Sequence, residues 1–201
     1  MLQSFLHVAR EPHQWLPQAF DWLEDKENAQ LDPDSFITEL EKNHHAPSLP
    51  DSSENMSYGN VEYYWFYRLD YELWKEWANN AGNLGIWSES FRKNDDIEKL
   101  IKGFRFRHCN SVEHIYPQHG EWKSNVSDEL KHAFGNLALL ARATNSKFSN
   151  SPCDAKRKWI LDDQKTESLK MLHYLWMEKE DSARIEEHGT IMWDLLCRRR
   201  L

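Results

Sequence analysis

A stripe of large apolar side chains in the first half of the chain constrains the fold more than any other sequence feature. The stripe recurs every fourth residue, at Val61, Trp65, Leu69, Leu73 and Trp77. This spacing places the side chains on one face of an α-helix, which we expect to end near Gly82. An aromatic stripe of this kind is typical of a helix buried in a hydrophobic core. The pattern therefore predicts a mainly helical protein, and the low content of 7 Gly and 7 Pro in 201 residues agrees with it.

Similar patterns predict further helices on both sides of the stripe. Residues 97–104 are read as either a short helix or a linker, and helices are predicted over 14–28, 34–43, 154–161, 166–179 and 182–199. In the last three, the positions expected to be buried are Trp159, Leu169, Leu172, Trp176, Ile185, Met192 and Leu196. Between residues 104 and 150 the character changes. We predict two short strands, Phe104–Ile115 and Leu137–Leu140, and a short helix between them that begins at an N-cap, Ser127. The predicted fold class is mainly α (α+β), a helical bundle that encloses a small β-hairpin unit.

The charge distribution divides the chain into three segments. Residues 1–100 contain 8 basic and 19 acidic side chains, whereas residues 101–160 contain 10 basic and 5 acidic ones. The overall net charge of −8 argues against a nucleic-acid partner, but the middle segment alone is positive. We therefore expect an acidic helical scaffold or docking domain over 1–100, a basic functional segment over 101–160, and C-terminal helices over 161–201 that pack on it.

Several classes of protein are excluded by composition and spacing. The longest apolar run, Tyr63–Tyr67, is much shorter than the roughly 20 residues that a membrane helix needs, and the first residues lack a signal-peptide core. A cytoplasmic protein that does not contact the membrane is the expectation. Cys109, Cys153 and Cys197 lie far apart in sequence, so neither a disulfide framework nor a thiolate zinc site is predicted.

A polar pair at the end of the first predicted strand is the strongest candidate for chemistry. Glu113 and His114 precede Ile115-Tyr116-Pro117-Gln118. Neighbouring strand residues point to opposite faces, so the pair can act on one substrate only where the strand ends, and Pro117 supplies that break. A histidine can take a proton from water near neutral pH. A carboxylate and the amide oxygen of Asn145 suit Mg²⁺ or Mn²⁺, so these residue types can build a one-metal phosphodiesterase site.

Two segments together carry a family resemblance. Glu113–Gln118 and Gly135–Asn150, which includes Gly-Asn-Leu-Ala-Leu-Leu and Asn145-Ser-Lys147, resemble HNH (His-Me finger, ββα-metal) nucleases. More narrowly, the chain resembles the HNH domain at the C-terminus of GmrSD-type, modification-dependent restriction proteins. Weaker similarity extends from residues 63–74 to the tryptophan-containing C-terminal helices.

The resemblance implies roles for individual residues. His114 would be the general base, Glu113 and Asn145 the metal ligands, and Asn136 the residue that pins the loop orienting His114. The expected cofactor is Mg²⁺ or Mn²⁺, and the expected substrate is DNA, cut in defence against foreign DNA. Candidates for phosphate contacts are Arg142, Lys147, Lys156 and Arg157. His119 is the reserve for the catalytic histidine.

Alternatives to a DNA nuclease remain open at the level of sequence. One is a non-catalytic adaptor whose inactive finger only binds nucleic acid, and another is an RNA or tRNA nuclease that uses the same residues. The ParB-like module that larger relatives carry upstream is not seen in this chain. We therefore expect either a C-terminal piece or a separately encoded nuclease subunit with a protein partner, and an oligomer is compatible with both.

Overall fold

The fold was analysed in a computed structural model that describes residues 48–78, 86–119, 126–179 and 181–198. The helices predicted over 14–28 and 34–43 lie outside the described residues. From Pro50 onward the described residues belong to one compact unit.

Eight α-helices and two β-strands make up the described part of the chain, which confirms the predicted mainly α (α+β) class. The helices are α1 (Tyr63–Ala78), α2 (Glu89–Arg92), α3 (Asp95–Gly103), α4 (Asp128–His132), α5 (Arg142–Phe148), α6 (Cys153–Asp163), α7 (Leu169–Trp176) and α8 (Asp181–Arg198). The strands are β1 (Ser111–His114) and β2 (Leu137–Leu140). In the described residues, no helix combines the length and the apolar character needed to cross a membrane.

Helix α1 is the central element of the core and contains most of the predicted apolar stripe. Trp65, Leu69 and Leu73 are buried, while Trp74 is among the most exposed large apolar side chains. The helix packs against α7, α8 and β2. Of the positions predicted to be buried in the last three helices, all are buried except Trp159, which is half-buried.

A buried carboxylate links α1 to α7. Asp70 accepts hydrogen bonds from the Ser168 hydroxyl at 3.1 Å and from the Lys170 backbone N–H at 2.9 Å. Ser168 in turn caps α7 by accepting from the N–H of Met171. Burial raises the pKa of Asp70 to about 7, although these hydrogen bonds favour the ionised form. The start of α7 is therefore fixed by a side chain about 100 positions earlier in the sequence.

Strands β1 and β2 form an antiparallel hairpin with Glu113 opposite Ala138 and His114 opposite Leu137. β2 matches its predicted range, whereas β1 is shorter than the predicted Phe104–Ile115. Residues before the strand are held by α1 instead, since the Tyr67 hydroxyl accepts from the Cys109 N–H at 2.7 Å and donates to its carbonyl at 2.6 Å. Between the strands, Ser127 caps α4 as predicted by accepting from the N–H of Leu130.

Two buried histidines, His173 and His188, lie where α7 meets α8. Their rings stack with centroids 5.4 Å apart, and the His188 Nδ1–H donates to the carbonyl of Gly135 at 2.7 Å. Burial lowers the pKa of His173 to about 4 and holds the pKa of His188 well below its ordinary value of 6.5, and the nearby charge of Lys170 acts in the same direction. Both rings are therefore neutral in the folded protein at neutral pH.

We expect these neutral histidines to make the fold sensitive to acid. Below pH 6.5 His188 binds a proton in the unfolded chain but not in the folded protein. The contribution of His188 to the free energy of unfolding is therefore fully present above this pH and decreases as the pH falls. The free energy of unfolding should lose about 1.4 kcal/mol per pH unit for this histidine between pH 6.5 and 5. Urea unfolding of the wild type and His188→Gln across this range measures the difference.

The comparison between variants is needed because Asp70, with its raised pKa, acts in the opposite direction. His108→Gln, at an exposed histidine, is the matched control and should retain the wild-type slope. Equal slopes for wild type and His188→Gln would show that His188 is protonated in the folded protein.

Candidate active site

The predicted Glu–His pair stands at the last two positions of β1. The strand ends at His114, and the chain bends through Ile115 and Tyr116 before Pro117. Both members of the pair are buried, with 5% of Glu113 and 7% of His114 exposed. The strand end that the chemistry requires is therefore present at these two residues.

Asn136 holds the bend that follows the pair. It is fully buried, and its Oδ1 accepts from the Tyr116 N–H at 2.6 Å. Its Nδ2 donates to the Tyr116 carbonyl at 3.0 Å and to the Lys131 carbonyl at 2.8 Å. Its own carbonyl accepts from the Ile115 N–H at 2.8 Å. One asparagine thus fixes the chain immediately after His114, which is the contact pattern that a loop-pinning residue needs.

His114 lies in a small cluster of polar and aromatic side chains. Its Nε2 is 3.1 Å from the His132 Nδ1 and 3.1 Å from the Gln118 Nε2. The ring of Tyr58, which is 47% exposed, lies 4.5 Å from the His114 ring between centroids. Burial lowers the pKa of His114 to about 4, and the neighbouring His132 and Lys156 add to this effect. The imidazole is therefore neutral at physiological pH and has a lone pair with which to accept a proton.

Glu113 faces a buried lysine. Its Oε1 is 2.6 Å from the Nζ of Lys156, which lies on α6 and has no exposed surface. Burial raises the pKa of Glu113, and the lysine counteracts this by favouring the carboxylate. The two charges therefore compensate each other inside the protein.

Asn145, on α5, is hydrogen-bonded to the two residues that precede Glu113 on β1. Its Nδ2 donates to the hydroxyl of Ser111 at 2.7 Å and to the carbonyl of Val112 at 3.1 Å. Ser111 and Glu113 are two positions apart on the strand and point to one face. The amide nitrogen is thus committed to β1, while its Oδ1 takes no hydrogen bond from a described residue.

The donor atoms of this face suit a hard cation. A carboxylate and an amide oxygen are ligands that Mg²⁺ and Mn²⁺ accept, with water or phosphate completing the shell. Among the described residues no group of three or more His, Cys, Asp or Glu side chains could hold a metal ion. Glu113 and Asn145 therefore fit such an ion by the chemistry of their oxygens, with Lys156 as a competing positive charge at the same carboxylate.

The four candidates for phosphate contacts occupy different environments. Arg142, at the start of α5, is exposed and makes no ion pair with a described residue. Lys147 is paired with Asp163 at 2.8 Å, and Arg157 lies over the ring of Trp176. Lys156 does not have the solvent-facing position that a phosphate contact requires, because its ammonium group is buried against Glu113 and the end of β1. Arg142 and Lys147 are thus the exposed members of the four, and Lys147 is already paired with an acidic side chain.

Three neighbours of His114 were not predicted as site residues. His132 and Tyr58 come from separate segments, and nothing in their local sequence distinguishes them from surface residues. Gln118 belongs to the Glu-His motif, and its position immediately after Pro117 was the signal that could have identified it. His119, the reserve histidine, is exposed.

Fold and site together define a mainly helical protein that presents a Glu–His pair at the end of a small β-hairpin. Residues 47–194 match the family model of the GmrSD restriction endonucleases, C-terminal domain, and the chain belongs to this family. The predicted resemblance is thereby confirmed. No curated protein and no solved structure matches the chain. Membership of this family indicates a nuclease of the restriction-endonuclease type.

Proposed function

We propose that the chain is a divalent-metal-dependent endonuclease of the HNH type that hydrolyses DNA phosphodiester bonds. In this proposal His114 is the general base, Glu113 and Asn145 are the metal ligands, and Asn136 positions the loop. A role in restriction of foreign DNA, together with a protein partner, follows from the family. The observation that carries the proposal is a neutral His114 that follows Glu113 at the end of β1, with Asn145 of α5 hydrogen-bonded to Ser111 and Val112 of the same strand.

The buried environment of His114 suits a base that works only in the presence of substrate. In the free protein burial disfavours the imidazolium form of His114, and the pKa of this residue is therefore low. An anionic phosphate brought next to the ring favours the imidazolium and so raises its proton affinity. His114 can then accept the proton of the attacking water. Nε2 faces His132 and Gln118, so these two side chains orient the ring during the transfer.

The metal ion would contribute charge rather than a proton acceptor. Mg²⁺ or Mn²⁺ held by Glu113 and Asn145 supplies positive charge near the scissile phosphate. The chain itself adds the exposed Arg142, whose guanidinium is available for the DNA backbone. In this proposal Glu113 is therefore a ligand of the metal ion, and His114 accepts the proton of the attacking water.

The full chain incubated with nucleic acid and metal tests this proposal. Supercoiled plasmid, base-modified phage DNA and a structured RNA are each offered with Mg²⁺, with Mn²⁺ and with EDTA. We expect nicking or linearisation of DNA with either metal and none with EDTA. Cleavage of RNA alone would favour the RNA-nuclease alternative. Binding of DNA without cleavage in any metal would favour the adaptor alternative, and both results would contradict the proposal.

A further inference from the structure

Lys156 makes an unusual set of contacts for a lysine. It has no exposed surface, and its Nζ lies 2.6 Å from the Glu113 Oε1, 2.6 Å from the His114 carbonyl oxygen and 3.0 Å from the Ile115 carbonyl oxygen. The two carbonyl contacts are hydrogen bonds, and the contact with Glu113 Oε1 is an ion pair without hydrogen-bond geometry, which makes three polar contacts in all. They fall on three consecutive residues, two of which are the proposed base and a proposed metal ligand.

We propose that Lys156 is a positioning residue of the active site: it fixes the strand end that carries His114 and serves as the resident counter-cation of Glu113. The inference rests on the proposed function, since it presumes the roles of Glu113 and His114.

The peptide groups between His114 and Tyr116 show how strongly this region is fixed. Lys156 binds the carbonyls of His114 and Ile115 from the side of α6. Asn136 binds the N–H of Ile115 and both polar groups of the Tyr116 backbone. Each of these backbone polar groups therefore has a partner, supplied by the Lys156 ammonium group or by the side chain and carbonyl of Asn136. The direction of the His114 side chain depends on the peptide planes that they hold.

A buried ion pair is costly unless its geometry is good and further hydrogen bonds satisfy the charges. Here the two carbonyl contacts provide that satisfaction for the ammonium group. If packing were the only requirement, an apolar side chain of similar length would serve equally well at this position. The charge of Lys156 is therefore best explained by what it does to Glu113.

The same charge has an opposite consequence for a metal ion. A cation that shares the Glu113 carboxylate with the ammonium group is repelled by it. Lys156 should therefore weaken metal binding while it improves the geometry of the base. Loss of the lysine is expected to shift metal affinity and turnover in opposite directions, whereas a merely structural residue would lower both or neither.

The test compares Lys156→Met, which keeps the length without the charge, with Lys156→Arg, which keeps the charge. Lys158→Met is the matched control, because Lys158 lies on the same helix with its ammonium paired to Asp162 at the surface. Mn²⁺ binding to the full chain is measured by electron paramagnetic resonance, and DNA cleavage is measured separately. We expect Lys156→Met to bind Mn²⁺ about tenfold more tightly and to lose about 100-fold in kcat with little change in KM. Lys156→Arg should bind Mn²⁺ like the wild type, and the control should match it in both measurements.

Unchanged or weaker Mn²⁺ binding by a folded Lys156→Met protein would overturn the proposal. Where this variant is too unstable for the binding assay, Glu113→Gln/Lys156→Met removes both charges and should melt at a higher temperature than Lys156→Met, or fold where Lys156→Met does not. A double variant that is no more stable than Lys156→Met would also overturn the inference, because the two side chains would then be uncoupled. If the wild type neither binds Mn²⁺ nor cuts DNA, the proposed function fails, and the melting comparison alone decides whether Lys156 serves Glu113.

Discussion

Replacing His114 by alanine is expected to abolish metal-dependent cleavage of plasmid DNA, with a loss of roughly 10²–10⁴-fold in rate. The variant lacks the group that accepts the proton of the attacking water, while the donors of the proposed metal site remain. His114 contacts its neighbours through one ring nitrogen and the Tyr58 ring, so its truncation leaves the hairpin hydrogen bonds in place. Cleavage is measured as the rate of nicking, and the fold is measured by circular dichroism and thermal melting.

Alanine substitutions at two other histidines test whether the loss of cleavage is specific to His114. His108→Ala removes an exposed histidine near the start of β1 and should cleave like the wild type. His119→Ala removes the reserve candidate and should retain most of the activity. Full cleavage by His114→Ala, or a loss confined to His119→Ala, would contradict the assignment of His114 as the base.

Replacing Gly135 by alanine should destabilise the protein by about 3 kcal/mol or more. Gly135 lies between α4 and β2, where the backbone of α8 approaches it closely. A Cβ atom at this position would collide with the backbone oxygen of Ile185 and stand 2.8 Å from the Gly189 nitrogen. Both obstacles are backbone atoms, so the whole of α8 would have to move. Urea unfolding measures the loss of stability.

Gly189, which faces Gly135 from α8, provides the control variant. Gly189 lies in the interior of α8, and its added Cβ would meet Gly135 at an ordinary distance of 3.5 Å. Gly189→Ala should therefore be neutral, or more stable by up to about 1 kcal/mol because alanine favours the helix. Similar stabilities for Gly135→Ala and Gly189→Ala would show that α8 does not approach Gly135 as closely as described.

Elements determined by local chemistry could be predicted from the sequence. The apolar stripe predicted α1, the serine at position 127 predicted the start of α4, and the short apolar run Leu137–Leu140 predicted β2. In each case the signal lies within the element itself. β1 was predicted too long, because the hydroxyl of Tyr67 holds Cys109 before the strand begins. That contact joins residues 42 positions apart, and no local pattern records it.

The candidate site also contains residues that the sequence predicted and residues that only the tertiary structure reveals. Glu113, His114 and Asn145 were found from residue type and spacing, and their catalytic roles stay predictions. Lys156 was predicted to be a phosphate contact, and its ammonium group is buried instead. Its burial follows from a carboxylate 43 residues earlier, so the sequence around Lys156 does not reveal it. The cluster of Tyr58 and His132 around His114 also depends on tertiary contacts.

Two buried lysines, on helices that follow the hairpin in the sequence, bind the backbone at one end of the hairpin. Lys156 binds the end of β1, and Lys170 donates to the carbonyls of Phe134 and Leu137 at 2.7 and 2.6 Å, at the entry to β2. During synthesis both strands leave the ribosome before either lysine, and α8, which packs at Gly135, follows the two lysines. A nascent chain therefore carries the Glu–His pair for some time without the side chains that fix its geometry. The order of synthesis itself delays an organised candidate site until α6 and α7 have left the ribosome.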